Sequence, residues 1–266
     1  MNTNLDSNLG SNLGTDMNPG TARGRHPLPR TLPVMPTVIL ARHGRTAANA
    51  TGVLAGRTKG VHLDDTGTGQ AKAAAERLTG LELHAVVTSP LERCRETARL
   101  LVPGSRAVAD RRLLECDYGE WTGRELKRLV KEKLWRTVQS QPSAARFPGG
   151  ESLQEMAARA VAAIRDRDAA VEAETGDHAV WVAVSHGDVI KAILADALGM
   201  HLDAFQRIVV DPASLSVVRY TPHRAFVLSM NTSSGSLAHL ASKPARRRRS
   251  SDAAVGGGAG PSGARH

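Results

Sequence analysis

Two histidines each follow the end of an apolar run and each precede a glycine. His43 follows Val38–Arg42, and His186 follows Ala179–Ser185. Short apolar runs rich in β-branched residues predict buried strands. In an open α/β sheet, ligands bind at the carboxyl ends of strands, and a helix that begins there points its free backbone N–H groups at the same place. The pattern therefore predicts an anion site in which two imidazoles could carry out proton or phosphoryl chemistry.

A histidine at a strand end is more often a hydrogen-bonded surface or core residue than a catalyst, so the residues between the two histidines must decide. Five blocks stand in order along the chain: Leu40–Asn49 with its Arg42-His43-Gly44 triplet, Leu63–Ala71, Thr88–Ala98, Leu113–Gly123 and Ser185–Gly187. Their order and spacing resemble the histidine phosphatase superfamily, which includes the phosphoglycerate mutases. The resemblance covers roughly residues 35–231, and five ordered blocks are far more specific than an isolated Arg-His-Gly triplet.

The resemblance implies that His43 is a nucleophile that becomes a phosphohistidine. A neutral imidazole suits this role because its ordinary pKa is about 6.5, and positive charge on Arg42 and Arg93 would disfavour its protonation. The two planar guanidinium groups can each match two phosphate oxygens. Asn49 is expected to add a neutral donor through its side-chain amide. These residues form the predicted phosphate site.

The resemblance also assigns the groups that handle charge and protons. His186 is expected to be a cationic donor to a phosphoryl oxygen as charge builds in the transition state, and the backbone amides of Gly187 and Asp188 are expected to bind the same oxygens. Glu115 is expected to protonate the leaving alkoxide and then deprotonate water, which requires a pKa raised towards neutrality, for instance by a nearby phosphate dianion. Outside its block, Glu115 would be taken for a salt-bridged surface acid. Arg57 is a weaker candidate for the substrate site, at the mouth of the pocket.

Neither a metal nor another cofactor is expected. No spacing of histidine, cysteine and carboxylate residues resembles a metal site, and arginines and histidines fill the role that a metal would play. The two cysteines, Cys94 and Cys116, have no apparent partners for a catalytic thiol. Both are expected to be buried packing residues in a reducing compartment.

The two main activities of the family differ in the fate of the phosphohistidine, which water hydrolyses in a phosphatase and a bound sugar acid accepts in a mutase. Only 70 residues separate Glu115 from His186, without the basic, aromatic-containing insertions of the mutases. Phe147–Ser152 resembles the phosphatase branch, although it could simply start a helix at Ser152. We therefore predict a metal-independent phosphomonoester hydrolase. The alternatives are a phosphoglycerate mutase-type phosphomutase, which is an isomerase, and a catalytically silent phospholigand-binding protein.

Strand and helix patterns alternate between the blocks. The sequence predicts helices over 70–78, from Pro90 onwards, over 151–174 and over 189–198, a strand over 84–88, and a hairpin of strands 216–220 and 225–230. Such alternation predicts a three-layer α/β/α sandwich with a mainly parallel central sheet, and the hairpin predicts an antiparallel edge. A basic cluster within 127–136 could bind a second anion or be a solvated helix face.

One domain with two tails is expected. Residues 35–240 form the histidine phosphatase domain, 1–34 a disordered arm without the apolar core of a signal peptide, and 241–266 a disordered basic tail. A native start at Met35 is an open hypothesis. The formal net charge is +9, of which the tail carries +5 and the arm +1, so the domain itself is only mildly basic.

The expected partner is a small phosphorylated metabolite whose identity the sequence leaves open. The run Arg246–Arg249 could touch nucleic acid or anionic lipid, but a solvated tail is favoured because a charge block alone is weak evidence. No stretch approaches transmembrane length, so no membrane association is expected, and the expected location is cytoplasmic. A homodimer through a sheet edge is left open as an analogy.

Overall fold

A six-stranded mixed sheet forms the centre of the described part of this computed structural model, which comprises residues 35–176, 178–233 and 255–258. Its strands are β1 (Thr37–Arg42), β2 (Ala85–Thr88), β3 (Val108–Ala109), β4 (Val180–Ser185), β5 (Leu215–Tyr220) and β6 (Ala225–Thr232). They lie in the order β3-β2-β4-β1-β5-β6. The first four run parallel to one another. Strand β5 pairs antiparallel with β1, and β6 pairs antiparallel with β5. The predicted hairpin is the antiparallel edge, whereas the short exposed β3 carries no apolar run that could have predicted it.

Helices cover both faces of the sheet. The described α-helices are α1 (Ala47–Thr51), α2 (Asp65–Glu76), α3 (Glu92–Leu101), α4 (Leu126–Leu129), α5 (Lys133–Ser140), α6 (Leu153–Thr175) and α7 (Gly187–Ala197). Along β1, Val38 and Leu40 join the core formed with α6 and α7, whereas Ile39 and Ala41 join the core formed with α2 and α3. Parallel strands buried on both faces read as continuous apolar runs. The predicted three-layer sandwich with a mainly parallel sheet is confirmed.

Capping residues explain where the helices begin. Helix α2 starts five residues before the predicted Gln70, because the side chain of Asp64 accepts a hydrogen bond from the Gly67 N–H at 2.7 Å. Helix α6 starts after Ser152, which forms a reciprocal capping box with Glu155. Caps of this kind satisfy N–H groups that have no partner within the helix. The reading of Ser152 as a helix start is therefore correct.

Four residues of the C-terminal stretch are described, and they pack on the domain. Val255–Gly257 forms a short 3₁₀ turn against α7, and Val255 is only 1% exposed. For Val255–Gly258 the structure thus departs from the expected disorder, since an apolar side chain followed by three glycines allows close backbone approach. The rest of 241–266, including Arg246–Arg249, and the whole of 1–34 lie outside the described residues. Within the described part, no helix is long and apolar enough to cross a membrane.

A buried acid joins α6 to the sheet. Trp181 on β4 is fully buried, and its indole N–H donates to the Asp168 carboxyl at 2.8 Å. Asp168 is itself only 4% exposed, and burial raises the pKa of its carboxyl to about 6. The Trp181 N–H needs a hydrogen-bond acceptor, and an uncharged side chain such as asparagine could supply one.

We expect Asp168→Asn to stabilise the protein at pH 7.5 and to leave its stability nearly unchanged at pH 4. The unfolded chain ionises Asp168 near pH 4 but the folded chain only near pH 6, so the wild type loses stability as the pH rises between these values. The gain above pH 6 should be at most about 3 kcal/mol. Urea unfolding at both pH values measures it, with Glu174→Gln, an exposed acid of the same helix, as the control. An equal change at both pH values would contradict the expectation.

Candidate active site

The carboxyl ends of neighbouring parallel strands bring the predicted residues together. Strand β1 ends at Arg42, and its register partner on β4 is Ser185, the residue before His186. The His43 N–H donates to the Ser185 carbonyl at 3.0 Å, which ties the two segments to each other. Helix α3, which follows β2, supplies the buried Arg93. Both histidines and both arginines therefore meet at one edge of the sheet, as the sequence predicted.

His43 is held with one defined nitrogen available. Its Nδ1 lies 2.7 Å from the carbonyl oxygen of Gly44. A carbonyl can only accept, so Nδ1 carries the proton and the lone pair of the neutral ring is on Nε2. Burial, and then the charges of Arg93 and Arg42, lower the pKa of His43 well below its ordinary value. The ring is thus a neutral potential nucleophile, although burial contributes more than the expected arginines.

His186 is also neutral, whereas the resemblance implies a cation as charge builds in the transition state. A guanidinium N–H of Arg93 donates to its Nδ1 at 3.2 Å, so its Nε2 carries the proton and donates to the Ser89 hydroxyl at 2.8 Å. Burial first, and then Arg93 and His43, lower the pKa of His186 well below its ordinary value. The two imidazole rings are 5.3 Å apart between centroids. A fixed positive charge next to a buried ring is the physical reason for the difference.

One buried donor atom of Arg93 has no acceptor in the part of the chain that the structure describes. Its Nη2 donates to the carbonyl of Gly56 at 2.7 Å as well as to His186. Its Nη1 is buried and has no hydrogen-bond partner among the described residues. Because a buried charged donor without a partner is destabilising, this atom marks the place for an anionic acceptor.

Arg42 is fully buried and directed at backbone carbonyls. Its Nη1 donates to Val210 at 2.7 Å, and its Nη2 donates to Gly256 at 3.2 Å and to Gly258 at 2.7 Å. Burial lowers the pKa of Arg42 to about 10, so the group stays charged at neutral pH. The second predicted phosphate-binding arginine is therefore in contact with the C-terminal segment.

Glu115 has the raised pKa that its expected role requires. It is 4% exposed, and one carboxyl oxygen accepts from the Cys116 N–H at 2.9 Å. Burial first, and then the charge of Asp188, raise the pKa of Glu115 to about 7. Asp188 is fully buried and accepts from the Tyr118 hydroxyl at 2.7 Å. The sequence reasoning assigned only the backbone of Asp188 and missed this electrostatic effect of its side chain.

Two arginines hold the Glu115 loop from behind. The carbonyl of Glu115 accepts from Arg57 Nε at 2.9 Å and from Arg159 Nη2 at 3.1 Å. Glu151 bridges both guanidinium groups. The expectation that Arg57 lies at the pocket mouth is therefore corrected: its remaining donors contact Asp117 and Glu151, acids of the same fold that lie within its reach.

Close backbone contacts at two glycines hold the segment that carries Glu151 against the Glu115 loop. A Cβ on Gly150 would lie 2.2 Å from the Asp117 carbonyl, and one on Gly119 would lie 2.0 Å from the Pro148 carbonyl. Only glycine allows such an approach without displacement of the backbone. The segment Phe147–Ser152 thus docks on the acidic loop and places Glu151 beneath it. Neither Glu151 nor Arg159 was predicted from the sequence.

A small cavity of about 30 Å³ lies between these residues. Predicted site residues on its wall are His43, Asn49, Arg93 and Glu115, whereas Arg42, Gly187 and His186 are buried behind it. The Asn49 carbonyl oxygen accepts from the Thr46 backbone and hydroxyl, so its NH₂ is the group that could donate to a ligand. The other walls are mainly small or apolar residues: Ala48, Gly52, Val53, Leu54, Ala55, Gly56, Leu126 and Val255.

The cysteines and carboxylates offer no second centre in the described part of the chain. No group of three histidine, cysteine or carboxylate residues there could hold a metal ion. Cys94 and Cys116 are buried and unbridged, which confirms the prediction that they are packing residues. Burial raises the pKa of the Cys94 thiol to about 12 and that of Cys116 well above its usual range, so neither is a thiolate at neutral pH.

Comparison with known proteins gives one family and two activities. The family model described as Histidine phosphatase superfamily (branch 1) matches residues 38–233. A protein named probable phosphoglycerate mutase GpmB, from Yersinia enterocolitica, is 32% identical over 187 residues, which are 69% of this chain and 84% of the relative. A mycobacterial glucosyl-3-phosphoglycerate phosphatase is 26% identical with a TM-score of 0.66, over 74% of this chain and 99% of that one. The alpha-ribazole phosphatase of Shigella flexneri is 25% identical with a TM-score of 0.63, over 74% of this chain and 96% of that one.

We expect Asp188→Asn to lower the pKa of Glu115 from about 7 towards, but not to, its ordinary value of 4.5. The substitution removes one of the two causes of the raised pKa and leaves the burial. Titration of the carboxyl carbon by NMR in glutamate-labelled protein measures it, with the signal assigned by its loss in Glu115→Gln. Tyr118→Phe is the control, since it removes a hydrogen bond to Asp188 but leaves the charge. An unchanged pKa in Asp188→Asn would mean that burial alone sets it.

Proposed function

The chain belongs to the histidine phosphatase superfamily, and we propose that it is a metal-independent phosphomonoester hydrolase that acts through a phosphohistidine on His43. One observation carries the proposal. A neutral, buried imidazole with its lone pair on Nε2 shares a cavity wall with Arg93, which has a buried donor to spare, and with Glu115, whose pKa is about 7. One site therefore holds a candidate nucleophile, a hydrogen-bond donor for an anion and a group that can carry a proton.

In the first step, Nε2 of His43 attacks phosphorus, and the bond from phosphorus to the ester oxygen breaks. The leaving oxygen takes the proton of Glu115, whose pKa of about 7 allows the carboxyl group to hold a proton near neutral pH. Arg42 and Arg93 stabilise the charge on the phosphoryl oxygens. The products are the alcohol, a phosphohistidine and a Glu115 carboxylate.

In the second step, the Glu115 carboxylate takes a proton from water, and the resulting hydroxide attacks the phosphohistidine. The bond from phosphorus to His43 breaks, inorganic phosphate leaves, and Glu115 is again protonated. Covalent catalysis thereby divides one difficult displacement into two easier steps. One carboxyl group with a pKa near neutrality can serve as the acid of the first step and the base of the second.

His186 supports the transferring group through its response to charge. As a phosphate dianion approaches, its negative charge raises the pKa of His186, and Arg93 turns its N–H from Nδ1 to the anion. His186 can then bind a proton and donate to a phosphoryl oxygen. The Asn49 NH₂ and the backbone amides of Gly187 and Asp188, in the first turn of α7, are the remaining proposed donors.

The charges around the cavity favour a phosphatase over a mutase. A mutase must bind a second anionic group, and the basic cluster within 127–136 is the sequence feature that could supply it. In the basic cluster, Lys127 and Arg128 pair with Glu125 and are about three-quarters exposed. The two solved structures named above are phosphatases. The relationship to GpmB keeps phosphoglycerate mutase as the second candidate.

We expect phosphorus NMR to detect inorganic phosphate when the protein, in EDTA, is given a set of phosphomonoesters that includes 3-phosphoglycerate. His43→Ala should release none, because no phosphohistidine can form. A trace of bisphosphoglycerate is added in a parallel sample to prime a mutase. Conversion to 2-phosphoglycerate without phosphate release would establish the mutase instead, and no phosphoenzyme with any ester would favour a binding protein.

Glu115→Gln should lower kcat by about a hundredfold or more, because it removes both proton transfers. It should leave the affinity for vanadate, a phosphate analogue that binds without turnover, within about threefold of the wild type, since the arginines remain. Steady-state kinetics measures kcat, and a vanadate titration measures the affinity. Glu120→Gln, on the same loop, is the control. Near-normal turnover of Glu115→Gln would remove Glu115 from the mechanism.

A further inference from the structure

The C-terminal segment Val255–Gly258 lies in the site that the proposed function assigns to the substrate phosphate. Val255, Gly256 and Gly258 line the same cavity as His43 and Glu115. Val255 is 1% exposed, so it is packed into the domain and does not merely touch its surface. The family match ends at residue 233, so this segment is an addition to the matched domain.

The contacts of the segment are made with the charged groups of the site. The carbonyl oxygens of Gly256 and Gly258 accept from Nη2 of Arg42 at 3.2 and 2.7 Å. The N–H of Gly256 donates to the buried Asp188 carboxylate at 2.9 Å. Two backbone oxygens thus accept from the guanidinium that is proposed to bind phosphoryl oxygens.

The docked segment also explains the size of the cavity and the position of Arg42. The cavity of about 30 Å³ has room for one or two water molecules, far less than the roughly 300 Å³ or more of a small-molecule site. Arg42 is absent from the cavity wall, because Gly256 and Gly258 stand against its guanidinium. A phosphomonoester can reach Arg42 only after these contacts are given up.

We propose that Val255–Gly258 is an intramolecular competitor of the substrate phosphate, so that the protein is autoinhibited by its own C-terminal segment. The proposal rests on the assignment of Arg42 to the phosphate site. Hydrogen bonds from a guanidinium to a charged phosphate oxygen are stronger than those to a neutral carbonyl, so substrate can displace the segment. The apparent affinity for an anion is then the intrinsic affinity multiplied by the fraction of molecules in which the segment is undocked.

Two substitutions should undock the segment without a change in the proposed catalytic residues. Gly256 has a φ of +73°, and a Cβ there would lie 3.1 Å from Leu54 Cδ1, so Gly256→Val introduces backbone strain and a steric conflict together. Val255→Asn places an uncharged polar side chain in a buried apolar position, which disfavours docking without adding an anion to the site. Gly104→Val is the matched control, because Gly104 is an exposed turn glycine with a φ of +80° and has nothing within 4 Å of an added Cβ.

The test measures vanadate and inorganic phosphate binding to the full-length protein by calorimetry, with thermal unfolding as a check on folding. Gly256→Val and Val255→Asn should each bind at least about threefold more tightly than the wild type, and a segment docked nine-tenths of the time predicts about tenfold. The control should bind as the wild type does. Where turnover is measurable, KM should fall by the same factor and kcat should stay unchanged.

A synthetic peptide of residues 250–262 provides an independent test. It should bind to the Gly256→Val protein and compete with vanadate there. Unchanged affinity in both variants would overturn the autoinhibition, and weaker binding would mean that the segment helps to hold the anion instead. Binding needs no turnover, so this result is separable from the proposed hydrolase activity. If no ester is hydrolysed but vanadate binding tightens, the competitor proposal stands and the hydrolase proposal fails.

Discussion

Two buried guanidinium groups, Arg42 at the end of β1 and Arg93 in the first turn of α3, determine which groups must surround them in the site. An unpaired charge inside a protein is destabilising by several kcal/mol, so Arg42 and Arg93 require acceptors around them. Backbone carbonyls of Val210 and Gly56 supply part of this need. The negative charges nearby belong to acids buried in the same region, Glu115 and Asp188. A site arranged in this way attracts anions because its fixed positive charge is only partly compensated.

The same burial adjusts the acid and the nucleophile in opposite directions. Loss of water disfavours the charged form of any group, so it lowers the pKa of His43 and raises that of Glu115. Near pH 7 the imidazole is then neutral, and the carboxyl group, with a pKa of about 7, can give or take a proton. One physical cause thus prepares two complementary groups, and Arg93 adds to the effect on His43 as Asp188 does to that on Glu115.

Positioning depends on segments that are distant from the catalytic groups in sequence. The carbonyl of Glu115 is fixed by Arg57 and Arg159, which Glu151 joins from the start of the long helix α6. The described part of the C-terminal stretch reaches the site from the opposite end of the chain. In both cases backbone carbonyls satisfy guanidinium groups, which allows loops of little regular structure to hold defined positions.

The sequence by itself determined the fold class, the two strand-end histidines, the two arginines that lie near them and the acidic loop, because strand periodicity and closely spaced blocks are local properties of the chain. The tertiary structure alone decided that Arg57 lies behind the loop, that His186 is neutral, and that Asp188 raises the pKa of Glu115. It also decided that Val255–Gly258 contacts Arg42. Protonation and hydrogen-bond partners depend on burial and on charges brought together across the fold, and neither is encoded in the spacing of neighbouring residues.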